Sequence, residues 1–273
     1  MGDWPILSDG GQESLVAVNL SSTTLVSFTA GNSNSMSSWN QIVAATANAA
    51  SGFWVCAYIR SANGAYLVDI GIGGAGSEIV IVPNLNLDRS AGVTIWIYIP
   101  IALLSGTRIA ARAQTALTSG TNNVDVGIYL IDQGFMPSAP MGQAIALGAN
   151  AAASTGTQLP DPGATAHTKG AWVSMGAPAI PVRWLYAIPG MAGAARAGIT
   201  KYLMDIAIGN TGSEIVILPN LFFLDPATSV FTPGILGPFP VSIPAGTQIS
   251  ARFQCSSTNA ADRALYLTLY GIG

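Results

Sequence analysis

Twenty residues of this chain occur twice. Tyr66 to Leu85 reads YLVDIGIGGAGSEIVIVPNL, and Tyr202 to Leu221 reads YLMDIAIGNTGSEIVILPNL, identical at 15 of 20 positions. The match extends outward: SGTRIAARAQ (Ser105 to Gln114) pairs with AGTQISARFQ (Ala245 to Gln254), and VDVGIYLI (Val124 to Ile131) with LYLTLYGI (Leu265 to Ile272). Upstream, Trp39 pairs with Trp172 and Trp54 with Trp184. The offset drifts through 133, 130, 136, 140 and 141, which places small insertions in loops. Self-similarity on this scale means one folding unit used twice. The chain therefore reads as two units of roughly 130 residues, an ordinary domain size. Pro and Gly punctuate the boundary near Met136 to Gln143. The expected organisation is an N-terminal arm at 1–12, a first repeat at 13–137 and a second at 138–273.

Each unit reads as β. In Tyr66 to Ile72, Tyr66, Val68, Ile70 and Ile72 alternate with Leu67, Asp69 and Gly71. A turn, GGAGS or GNTGS, leads into EIVIVP, which is rich in β-branched residues and closed by Pro83. VTIWIYIPI, RIAARAQ and the final run are further strands, and no long amphipathic helix is present. Short strands with Gly/Pro turns at this spacing predict an all-β chain: two tandem antiparallel β-sandwiches, jelly-roll-like, from an internal duplication.

Charge is scarce. Only 8% of residues are Asp, Glu, Lys or Arg, and 50% are apolar, whereas globular chains carry about 25% charged residues. Ten basic residues and a net charge of −3 argue against phosphate neutralisation, so no nucleic-acid partner is expected. The start, MGDWPILSDGG, lacks a basic region and does not read as a signal peptide. Val93 to Leu104 is broken by Pro100 and falls short of the about 20 apolar residues a membrane helix needs, so no membrane insertion is expected. Cys56 and Cys255 stand at non-equivalent places and read as small buried hydrophobes. Leu67, Ile95, Ile97 and Ile99 look too numerous for one small core. That predicts apolar surface buried between subunits, and hence obligate homo-oligomerisation.

The chemistry-bearing motifs mostly admit plain readings. Gly71, Gly73 and Gly76 spell GxGxxG, but they lead into a strand and the second copy has Ala207, so they read as a hairpin turn, not a dinucleotide loop. His167, the single histidine, lies in a turn-like stretch and reads as a surface loop residue. With one His and two Cys, neither a zinc site nor any cofactor is expected. Trp39, Trp54, Trp172 and Trp184 recur as pairs and read as core. Trp4 and Trp96 have no counterpart; they are sugar-stacking platforms, interface anchors or, most simply, packed tryptophans.

The charges that recur are Asp69/Asp205, Glu78/Glu214 and Arg112/Arg252. By the alternation, Asp69 and Arg112 face away from the core. They are cross-strand ion pairs or bonds to a turn, inter-subunit pairs that set an oligomer's register, or, least simply, an acid pair for glycoside hydrolysis. No catalytic residue is assigned. Asp69, Glu78, Arg112, Asp205, Glu214, Arg252, Trp4 and Trp96 are the candidates for assembly contacts.

The linked phrases DIGIGGAGSEIVIVPNL and IPAGTQISARFQ, with HTKGAWVSM upstream, resemble a module of structural proteins of tailed bacteriophages, found in head decoration, spike and tail-associated subunits. The resemblance covers most of both copies. At IALLSGTRI, Leu104 and Ser105 replace the Pro–Ala of the second copy, so the local turn there departs from the pattern. The resemblance implies a non-enzymatic virion protein that decorates or stabilises a capsid, or attaches to a tail. Its partners would be itself, as a trimer presenting six similar units, and other virion proteins such as the major capsid or tail protein. The alternative is a carbohydrate- or receptor-binding module that takes a host surface glycan.

Overall fold

A computed structural model of the chain describes residues 25–60, 64–87, 94–131, 142–190, 198–225 and 235–273. The proposed arm at 1–12, Trp4 and most of the boundary segment lie outside the described residues.

The first repeat places eight strands: Val26–Thr29 (β1), Asn40–Val43 (β2), Gly52–Ile59 (β3), Tyr66–Ile72 (β4), Ile79–Asn86 (β5), Thr94–Ile99 (β6), Ile109–Thr115 (β7) and Asn123–Ile131 (β8). They form two antiparallel sheets, β1-β8-β3-β6 and β2-β7-β4-β5. The second repeat uses Ala144–Leu147 (β9), Thr157–Gln158 (β10), Val173–Gly176 (β11), Val182–Gly190 (β12), Thr200–Ile208 (β13), Ile215–Asp225 (β14), Leu236–Ile243 (β15), Ile249–Cys255 (β16) and Tyr266–Ile272 (β17). Its sheets run β10-β17-β12-β15, with β9 also on β17, and β11-β16-β13-β14. The two repeats share one strand order, with the chain passing back and forth between sheets as in a jelly roll. Among the described residues the helical content is a single 3₁₀ turn, Ala260–Arg263, and no helix is long and apolar enough to cross a membrane.

Period-two alternation fills each core. Ile95, Ile97 and Ile99 of β6 meet Phe53, Val55 and Ala57 of β3 and Val126 and Ile128 of β8. The second core is built on Leu185, Met204, Ile206, Phe253 and Leu267, with Tyr202 stacked on Phe223 at 4.8 Å. Each such side chain contributes about 1.5–3 kcal/mol on burial. The sequence overestimated the surplus of apolar residues: Ile95, Ile97 and Ile99 share one side of β6 and all fit in one core. EIVIVP also does not end its strand at Pro83, because β5 runs on to Asn86 through a bulge.

Leu67 does point away from the core, and it is fully buried. It lies in a transverse row, Asn86–Leu67–Gln114, across β5, β4 and β7. The second repeat covers that row. Asn86 Nδ2 donates to Thr268 Oγ1 at 3.1 Å. Gln114 Nε2 donates to the Ala151 carbonyl at 2.6 Å and to Ser154 Oγ at 3.0 Å. Ser154 Oγ donates in turn to Asn34 Oδ1 at 2.7 Å. Nearby, Tyr186 O–H donates to the Tyr98 carbonyl at 2.6 Å, and Tyr270 O–H donates to the Asn84 carbonyl. Tyr186, Ile188, Tyr270, Ile272 and Ala144 of the second repeat belong to the buried cluster of the first. The outer face of one repeat's β5 margin is thus packed on the outer face of the other's β9-β17-β12 sheet, by apolar side chains and neutral hydrogen bonds.

The two equivalent leucines should therefore behave differently. Leu67→Ala should cost about 2–5 kcal/mol, as a core truncation does. Leu203→Ala, at the half-buried equivalent position, should cost about 1 kcal/mol or less. Urea unfolding of the two variants measures the contrast.

Candidate functional site

The recurring aspartates sit opposite a bulge. Val68 pairs with Leu85 and Ile70 with Val82, so Pro83 and Asn84 together oppose Asp69. In the second repeat Pro219 and Asn220 oppose Asp205 in the same way. Asn84 and Asn220 take left-handed backbone angles, φ 48° and 53°, a conformation that Asn tolerates better than most residues. The bulge leaves an amide outside the ladder, and the aspartate accepts it. Asn84 N–H donates to Asp69 Oδ1 at 2.8 Å, and Asn220 N–H to Asp205 Oδ1 at 2.9 Å.

The other carboxylate oxygen faces the neighbouring strand. Arg112 Nε donates to Asp69 Oδ2 at 2.9 Å and Arg252 Nε to Asp205 Oδ2 at 3.0 Å. Each guanidinium lies over an indole, Arg112 over Trp39 at 4.5 Å and Arg252 over Trp172 at 4.3 Å. Lys169 adds a second cation in the second repeat, donating from Nζ to Asp205 Oδ1 at 2.6 Å and to Asn220 Oδ1 at 2.9 Å. Sequence reasoning missed Lys169, because the first repeat has no lysine to pair with it. Burial works against the charge of Asp205, and the bonds from Lys169, the Asn220 amide and Arg252 outweigh it, so its pKa falls below the usual carboxylate range.

The recurring glutamates close the hairpin turns. Gly76 N–H donates to Glu78 Oε2 at 3.0 Å, and Gly212 N–H to both oxygens of Glu214, at 3.1 and 3.0 Å. Gly73 and Gly76 have φ of 117° and 82°, which only glycine adopts freely, and this GxGxxG segment is a β4–β5 hairpin turn. Arg108 Nη1 also donates to Glu78 Oε1 at 2.8 Å; Gln248 takes its place in the second repeat. Burial opposes the charge of Glu78, and the Arg108 and Gly76 bonds still hold its pKa below the usual range. The turn at Leu104–Ser105 keeps the form of its counterpart: Thr107 N–H reaches the Leu104 carbonyl at 3.3 Å and Thr247 N–H the Pro244 carbonyl at 3.2 Å.

The tryptophans are the main departure from expectation. Trp39 and Trp172 lie half-buried under their arginines on the outer faces. Trp184 is half-buried against the other repeat. Trp54, expected in the core, is 39% exposed, and Trp96, a candidate for assembly contacts and most simply a packed tryptophan, is 36% exposed. The reason is parity. Phe53, Val55 and Ile97 point inward, so Trp54 and Trp96 must point outward. There Trp54 lies against Tyr98 at 5.4 Å and Trp96 against Tyr129 at 5.0 Å, two aromatic pairs on one face of the β8-β3-β6 sheet. Cys56 lies between Trp54 and Tyr58 along β3, buried, its thiol pushed up to about 12 by burial and by Asp125.

Other polar features stay scattered. His167 is exposed in its loop, with its N–H bonded to the Cys255 carbonyl at 2.8 Å. Cys56 and Cys255 are free and buried. Among the described residues no three His, Cys, Asp or Glu gather as metal ligands. A cleft of about 540 Å³ between the repeats is lined by Gly64, Leu117, Asn150, Thr155, Gln158 and Tyr266 among others.

No protein-family model matches the sequence, and neither does any curated protein. Among solved structures, PNGF-II in a C2 space group is similar at 8% identity and a TM-score of 0.35, over 95% of this chain and 64% of that one. The chain thus spans somewhat less than two thirds of that protein's length. The N-terminal CBM22-1–CBM22-2 tandem domain of Paenibacillus barcinonensis Xyn10C is similar at 8% identity and a TM-score of 0.26, over 97% and 92% of the two chains. The infectious bursal disease virus Gt strain structure follows at 13% identity and a TM-score of 0.21, over 98% and 73%. Likenesses this distant carry no argument about activity or ligand.

Asp205→Asn tests the bulge staple. A carboxylate whose folded pKa is lowered stabilises the fold above its unfolded pKa of about 3.9, and that stabilisation is lost as pH falls through the folded value. The variant should lose about 1–3 kcal/mol at neutral pH, and its difference from the wild type should shrink below about pH 4. Urea midpoints across that range measure both.

Proposed function

We propose that the chain is a non-enzymatic structural protein that works by self-assembly on the particle of a tailed bacteriophage, in head decoration or on the tail. One observation carries the self-assembly reading. Trp54, Trp96, Phe222 and Leu224 stand 36 to 58% exposed on sheet faces of a chain in which only 8% of residues are charged. Large apolar side chains left exposed on sheet faces mark an interface. The contact between the two repeats supports it, because it buries apolar sheet faces without a salt bridge across the bonds described. The virion placement rests on the sequence resemblance to phage structural modules.

A second reading has its own observation. Two aromatic pairs on one open sheet face, Trp54–Tyr98 and Trp96–Tyr129, offer flat rings to a sugar. On this reading the chain is a glycan- or receptor-binding module of the particle.

Native mass spectrometry of the purified chain across a concentration series separates the readings. A defined homo-oligomer at micromolar concentration, recovered on purified particles, is expected. A chain that stays monomeric up to about 1 mM, weaker than about −4 kcal/mol of association, defeats self-assembly. Saturable glycan-array binding that is lost in both Trp54→Ala and Trp96→Ala selects the second reading.

A further inference from the structure

We infer that the chain carries the two halves of one head-to-tail interface: the outer β13–β14 margin of the second repeat seats on the outer β3–β6–β8 face of the first repeat in another copy. This rests on the self-assembly reading and names its surfaces. The template lies inside the chain. The β5 margin of the first repeat is already packed on the outer β9-β17-β12 sheet of the second. The β5 margin has its counterpart in the β14 margin, and β17 and β12 of the covered face have theirs in β8 and β3, whereas β9 has none among the described residues; in one chain these two counterparts are left over.

The leftover margin is the row Phe222–Leu203–Gln254, in the same register as Asn86–Leu67–Gln114. Asn86 and Leu67 are fully buried and Gln114 is 3% exposed, whereas Phe222 is 58% exposed and Leu203 and Gln254 are half-buried. Leu224, next along the same side of β14, is 41% exposed. The leftover face carries Trp54, Trp96, Tyr98 and Tyr129. Its counterpart in the second repeat carries Trp184, Tyr186 and Ile188, which the first repeat covers.

Bulk is exchanged between the two surfaces. Where the covered margin has Asn86, the open margin has Phe222. Where the covered face has Tyr186, the open face has Cys56, by the Trp54/Trp184 alignment. The covered surfaces join a smaller margin residue to a larger face residue, and the open surfaces join a larger margin residue to a smaller face residue. Pro219 in the edge strand β14 works against strand addition along that edge. The contact is made by side chains, as it is inside the chain. A head-to-tail contact between different surfaces closes into a ring or runs on as a filament, and three chains would close a ring of six sandwiches.

The test uses two full-length variants, Phe222→Asp/Leu224→Asp on the margin and Trp54→Glu/Trp96→Glu on the face, with Phe222→Asn as a milder margin change that restores the first repeat's residue. Far-UV circular dichroism and melting establish that each is folded. Each charged variant alone should be monomeric, with association weakened by about 30-fold or more, and Phe222→Asn should weaken it less. Mixed, the two charged variants should form a one-to-one dimer and stop, since one intact margin meets one intact face. A wild-type oligomer that keeps its mass in the margin variants overturns this interface and leaves self-assembly standing. A wild-type chain that is monomeric at every concentration removes self-assembly itself. Saturable glycan binding at Trp54 and Trp96 by the intact oligomer also overturns it, because the second copy would cover that face.

Discussion

Leu67 carries no polar group, faces away from the core of its own sandwich and is still wholly buried. A strand with apolar side chains on both sides needs two partners, because alternation sends half of them to each face. The core sheet supplies one partner, and the second repeat supplies the other. The row Asn86–Leu67–Gln114 makes that second contact specific: an apolar centre excludes water, and the flanking amides must find acceptors once dry. They find Thr268, Ala151 and Ser154. The scarcity of ions in this chain follows in part from that arrangement, since surface hidden within one molecule needs no charge to stay in solution.

The charges that remain mostly serve the backbone. Asp69 and Asp205 each accept a bulge amide and an arginine, and each arginine rests on a tryptophan. The bulge redirects the edge strand and breaks the ladder, and the carboxylate repairs the break with one charged acceptor. Glu78 and Glu214 do the same for the turn amides of Gly76 and Gly212. The double occurrence of these residues therefore has a local structural cause in each repeat, and that cause applies whether or not the chain assembles further.

Duplication sets up an asymmetry. Two identical units that pack surface A on surface B leave one A and one B exposed. Here the two units have diverged where that matters: Asn86 against Phe222, Cys56 against Tyr186, and Lys169 with no counterpart. The conserved strand order holds the surfaces in corresponding places, and the substitutions decide which of them is closed within the chain.

The repeat, the strands and the hairpin turns could be read from the sequence, because each depends on neighbours along the chain or on the alternation of one strand; alternation also put Asp69 and Arg112 on the outer face, but that they pair was decided by the register of β4 on β7. The burial of Trp54 was misread and that of Trp96 was left open, since hydrophobicity says that a side chain prefers to be dry but not which side of the sheet it faces. Lys169 was missed because it comes from a loop whose position depends on the whole sandwich. What covers Leu67 was decided only in three dimensions. Alternation fixes that a residue lies on the outer face, while cover for that face comes from a surface more than one hundred residues away, as the Asn86–Thr268 bond joins positions separated by 182 residues, and nothing local in the chain specifies such a contact.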